Sequence, residues 1–174
     1  MHTLKHISLL AAAAFALCVA NAAYSADRTD AISAEDFVEE ASAKGIAEIE
    51  TAKLALEKTS NQEIKTFAQS MIDDHRKANT KLGQLASKKD LEVSDDAELL
   101  NQAKAMVLKL RGEDSFDKAY MNNQVLAHKQ TIELFHRASN SDDPEIAAFA
   151  KETLPKLQHH LKMAEQINAK LPSN

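Results

Sequence analysis

Cysteine is almost missing: Cys18 is the sole thiol in 174 residues, and it lies in an N-terminal segment that reads as a removable leader. The chain that remains then has no thiol at all. Disulfides, thiolate nucleophiles and cysteine-ligated metal or cluster sites are thereby excluded, and an oxidising compartment is suited, where a lone thiol is a liability. Glycine and proline are scarce too, three of each. So few breakers among so much Ala, Leu, Lys and Glu point to an all-α protein. A basic run is also lacking, because 21 Lys and Arg are interspersed with 26 Asp and Glu for a net charge of −5. Nucleic acid is therefore not an expected partner. The length suits one domain.

Residues 1–26 carry a short basic start around Lys5, an apolar run from Ile7 to Ala20, and small residues at Ala20-Asn21-Ala22. This is the layout of a secretory signal peptide, with cleavage expected near residues 22–26 and preferably after Ala22. As a helix the apolar run spans only about 21 Å, short of the roughly 30 Å hydrocarbon layer, so no stable membrane span is expected once it is removed. Leu17 is bulky where a lipidation site before Cys18 wants a small residue. The expected destination is the periplasm.

Four long amphipathic helices follow, within a domain at 33–171. Helix one, about 33–59, is capped by Ser33 with Asp36 three residues on, and buries a stripe through Val38, Ala41, Gly45, Ala52 and Leu56. Gly45 costs roughly 1 kcal/mol against Ala inside a helix, so a neighbour or ligand is expected to approach it closely. Ser60 and Glu63 read as the capping box of helix two, about 60–89, whose inner face includes Ile64, Phe67, Met71, Ile72 and Leu82. Helix three spans about 114–140. Helix four runs from Pro144 to about Leu171, with Asp142 and Asp143 as its start signal and a kink expected at Pro155. Short turns make antiparallel pairs of helices one and two and of helices three and four. The segment 97–110 reads as a helical crossover between the pairs, giving a ferritin-like four-helix bundle.

Each helix brings one polar group to its inner face near its midpoint: Glu48, His75, His128 and His160. Near a midpoint, height hardly depends on which way a helix runs, so the four can meet in one layer. Three imidazoles and a carboxylate have the composition of a site for one transition-metal ion, zinc, iron, manganese or copper. Asp74, Asp117 and Tyr120 are candidate supporting partners behind those ligands. The competing reading is a buried network that fixes the register of the bundle and binds no ion. A Glu-x-x-His pair, Glu133 and His136, falls off the inner face and reads as solvated.

The segments EEASAKGIAEIETAKLA, IKTFAQSMIDDH, FDKAYMNNQVLAHKQTIELF and LPKLQHHLKMAEQI resemble an exported bacterial family known as domain of unknown function 4142. The resemblance covers about 34–170 and implies kinship with ferritin-like proteins. It also implies the same residue types at Glu48, His75, Tyr120, His128 and His160. The ferritin di-iron pattern takes a Glu from each of two helices and a Glu-x-x-His from each of the others. Here Ile72, Val125 and Leu157 stand three residues before the histidines. The bridging carboxylates are missing, which argues against ferroxidase chemistry and iron storage and for a mononuclear site or none.

Three functions follow from these residues: a periplasmic protein holding one metal ion for metal handling or stress protection, a metal-dependent oxidoreductase resting on Tyr120, and a non-enzymatic envelope protein whose polar layer is structural. The balance leans away from an enzyme. Self-association stays open, and no protein partner is indicated.

Overall fold

The computed structural model describes residues 31–93 and 116–172. The expected leader at 1–26 and the expected crossover at 97–110 lie outside the described residues. Among those described, the chain is four helices with no strand: α1 (Ala34–Lys58), α2 (Gln62–Lys88), α3 (Phe116–Ala138) and α4 (Pro144–Lys170).

The starts of the helices follow from side-chain acceptors for otherwise orphaned N–H groups. Ser33 Oγ accepts from the Asp36 N–H at 3.0 Å. Asp143 Oδ1 accepts from Glu145 and Ile146 at 3.0 and 3.2 Å, with Pro144 at the first helical position. At α2 the expectation of Ser60 is corrected. Asn61 is the cap, its Oδ1 accepting from Glu63 at 2.9 Å and Ile64 at 3.4 Å, while Thr59 Oγ1 accepts from the Asn61 N–H at 3.0 Å. That bond turns the chain one residue later than the capping-box pattern suggests and leaves Ser60 in solvent. Pro155 sits inside α4 on its exposed side.

Helices α1 and α2 pack as one antiparallel hairpin and α3 and α4 as another, and the hairpins meet along α1–α3 and α2–α4. Charged pairs show the second seam to be antiparallel as well: Lys88, at the end of α2, holds Glu145 at the start of α4, and Lys170, at the end of α4, holds Glu63 at the start of α2. Exposed pairs of this kind contribute little stability, about 0–1 kcal/mol each, so their value here is as a record of register. Helices α2 and α3 consequently run in the same direction on a diagonal of the bundle.

The buried residues form two apolar clusters. In one, Phe37 meets Phe135 and Phe149 edge-on, with ring centroids 5.0 and 6.2 Å apart, among Val38, Leu82, Ile146 and Leu157. In the other, Phe67, Met71, Tyr120 and Met121 pack with Leu54 and Ile64. Each such large side chain contributes about 1.5–3 kcal/mol on burial. Between the clusters lies the waist of the bundle, which is polar: Glu48, His75, Gln124, His128 and His160 are all buried there. No helix among the described residues is long and apolar enough to cross a membrane.

Candidate metal centre

Three of the four residues expected at the waist come together. His75 from α2, His128 from α3 and His160 from α4 are 6, 1 and 1% exposed. Their ring centroids form a near-equilateral triangle with sides of 5.9, 5.7 and 5.6 Å. Each ring offers one nitrogen such that the three nitrogens lie within 4.8 Å of one another.

The hydrogen bonds on the far sides of the rings decide what these nitrogens are. His128 Nδ1–H donates to the main-chain carbonyl of Gln124 at 2.9 Å. His160 Nε2–H donates to Asp74 Oδ2 at 3.0 Å. A carbonyl and a carboxylate can only accept, so the proton sits on that side of each ring and the opposite nitrogen carries a lone pair. Those opposite atoms, His128 Nε2 and His160 Nδ1, are buried without a hydrogen-bond partner, and so is His75 Nε2. A buried polar atom left unpaired costs about 1–3 kcal/mol, so three at one focus need an explanation.

Burial, reinforced by the neighbouring His128 and His160, holds the His75 imidazole down to about 3, with Asp74 opposing weakly. Burial likewise takes His160 down to about 4, against the raising effect of its bond to Asp74. Both rings are therefore neutral at neutral pH and have no proton to lose before ligating a cation. The Asp74 carboxyl is raised by its burial, but His160 and Lys156, whose Nζ lies 3.3 Å away, outweigh that and hold it below the ordinary range.

Glu48, expected as the fourth ligand, is not among the groups whose ligand atoms converge. Its Oε2 accepts from Gln124 Nε2 at 2.7 Å. Burial pushes its carboxyl up, against the lowering effects of His128, Gln124 and Lys44. The supporting residues sort differently from expectation. Asp74 immediately precedes His75 in sequence but holds His160 across the α2–α4 seam. Tyr120 is fully buried, stacked on Phe116 and edge-on to Phe67, and burial beside Glu48 raises its phenol well above 10. Its hydroxyl has no hydrogen-bond partner, so it orients none of the histidines. Asp117 lies in the first turn of α3, partly exposed, about 16 Å of helix rise from the level of His128. That distance corrects the expectation that it supports the site. Glu133 is half-buried and His136 exposed, and neither joins the layer.

Gln124 was invisible to pattern reading, since glutamine counts as a surface residue. The available signal was its place four residues before His128, on the same face of α3. It holds His128 through its main chain and Glu48 through its side chain, and so ties α3 to α1.

Two openings flank the layer. A cavity of about 30 Å³ lies beside His75, lined also by Gly45, Asp74, Asn79 and Thr131. A groove of about 240 Å³ runs between α1 and α3 and reaches Glu48.

Such a donor set, three imidazoles with a carboxylate and a carbonyl fixing the far sides of two rings, is the arrangement that metal-binding histidines adopt. No curated protein and no solved structure matches the chain. Residues 19–167 match a family described as Domain of unknown function (DUF4142), and the chain belongs to that family.

Proposed function

We propose that this protein is an exported, periplasmic bundle protein that holds one transition-metal ion on His75, His128 and His160, and that it serves metal handling in the cell envelope. The single observation that carries the reading is the convergence of three buried imidazoles, each with a partnerless ring nitrogen and two of them with the opposite nitrogen hydrogen-bonded to an acceptor. A cation accepts all three lone pairs at once. A water molecule has only two hydrogens to give, so it satisfies the trio only if His75 turns its own N–H inward. The residues fit an ion in charge as well, because Asp74 stands directly behind His160 and Glu48 lies beside His128.

All-nitrogen, thiol-free ligation suits zinc, copper, iron or nickel, and three protein ligands leave a position open for an exchangeable group. A bound ion of this kind supplies Lewis acidity at that position. The missing bridging carboxylates set the site apart from a di-iron centre. Export rests on the leader pattern of residues 1–26 and on the absence of thiol from the rest of the chain.

The test is elemental analysis of the mature protein, both as purified from its native compartment and after chelation and reconstitution with first-row divalent ions. About one equivalent of metal is expected in the wild type and little in His128→Ala. No metal in either preparation contradicts the proposal and leaves a structural histidine layer, with His75 donating to a trapped water.

A further inference from the structure

The two openings differ in ways that matter to a cation. The small cavity is walled mainly by apolar groups, including Ala41, Ala78, Leu82 and Phe135, and the ammonium of Lys156 stands at its edge, 3.3 Å from Asp74. Its threonines, Thr131 and Thr153, spend their hydroxyls on main-chain carbonyls of their own helices, at 2.9 and 2.8 Å. Asp74, Asn79 and His75 also face it, but about 30 Å³ holds no more than a water or two, too little for a hydrated cation. The α1–α3 groove is about eight times roomier, 240 against 30 Å³. Small side chains at Ala43, Ala47 and Ala127 leave it wide, and Asn123 and Gln130 give it polar walls, the Thr51 hydroxyl being spent on main-chain carbonyls of α1 at 2.9 and 3.2 Å. Two carboxylates, Glu40 and Glu48, face one ammonium, Lys44, which is itself paired to Glu40 at 3.5 Å. None of the three histidines lines the groove; its inner end is Glu48, which takes its hydrogen bond from Gln124 on Oε2 and so leaves Oε1 as an acceptor, together with Ala127, the residue before His128.

We propose that the groove between α1 and α3 is the passage by which a divalent transition-metal cation reaches and leaves the three histidines, with Glu48 as the carboxylate that receives it on the way. This deepens the reading of the trihistidine site and rests on it. A passage acts on rates alone: narrowing it raises the barrier for entry and exit equally and leaves the equilibrium untouched.

The experiment follows cobalt(II) uptake by stopped-flow absorbance, and its release to a chelator, in wild type and three variants. Ala47→Leu plugs the groove from a half-buried wall position, and Ala43→Leu is a second plug should the first disturb folding. Thr153→Leu fills the opposite cavity. Either plug is expected to slow uptake and release by about tenfold each at unchanged Kd, while Thr153→Leu alters neither rate. Cobalt exchange that is indifferent to both plugs, or slowed by Thr153→Leu alone, overturns the passage and leaves the trihistidine site standing. A wild type that takes up no cobalt overturns both.

Discussion

Gly45 offers the sharpest test of the packing around the waist. A Cβ added there would fall 2.1 Å from Asn79 Oδ1, 2.7 Å from its Cγ and 2.8 Å from its Nδ2. The whole amide of Asn79, one turn beyond His75 on α2, occupies the space a methyl group needs. Gly45→Ala gains about 1 kcal/mol of helix propensity but must displace that amide, and forced repacking of this kind costs about 1–3 kcal/mol. The net expectation is a loss of about 0–2 kcal/mol in the wild-type background. With Asn79→Ala the obstacle is gone, and the same substitution should stabilise by about 1 kcal/mol. The coupling between the two positions is therefore about 1–3 kcal/mol, well above the scatter between independent sites. Gly83 supplies the control, since nothing lies within 4 Å of a Cβ built there. Gly83→Ala should stabilise by about 1 kcal/mol whatever stands at position 79. Urea unfolding of the six proteins, followed by far-UV circular dichroism, measures every term. A Gly45→Ala variant as stabilised as Gly83→Ala, with no dependence on Asn79, would refute the reasoning.

Three further outcomes are expected. Asn61→Ala should lower stability by about 1 kcal/mol while Ser60→Ala changes it by only a few tenths, and thermal melts distinguish the two caps. The metal-free protein should lose stability as pH falls below about 6.5, because in that range the unfolded chain binds protons at positions 75 and 160 that the folded protein refuses. The loss continues until pH reaches the folded values of about 4 and about 3. With two groups titrating, the slope approaches 2–3 kcal/mol per pH unit at its steepest, roughly halved in His75→Leu; urea midpoints between pH 7 and 5 test this, and a flat profile contradicts it. Asp74→Asn, which weakens the support of His160 while still able to accept its proton, should lower metal affinity about tenfold, and Asp74→Ala up to about a hundredfold, by calorimetric titration.

The bundle was legible because its signals are periodic. Apolar residues three and four apart mark one face of each helix, and Ser33 and Asp143 stand at the caps they occupy in the structure. The waist was legible in part: His75, His128 and His160 are histidines on otherwise apolar faces, and midpoint reasoning places them at one height. What escaped was pairing across helices. Asp74 sits beside His75 in sequence, but adjacent residues on a helix point about 100° apart, so it reaches α4 and holds His160. Glu48 lies at the expected level, yet which neighbour takes its carboxylate depends on Gln124, a residue whose polarity argued for solvent. The cap of α2 moved by one residue because Thr59, which carries no capping pattern, folds back onto Asn61.

The central claim is that three imidazole nitrogens meet on one ion at the waist of this bundle. X-ray absorption on zinc-loaded mature protein, at one equivalent, counts them directly. The account predicts three imidazole scatterers at about 2.0–2.1 Å, the ordinary zinc–nitrogen distance. That distance requires the three nitrogens to draw together from their present spread of up to 4.8 Å. A shell of oxygen alone, or the loss of only one imidazole in a His75→Ala, His128→Ala and His160→Ala triple variant, would contradict it.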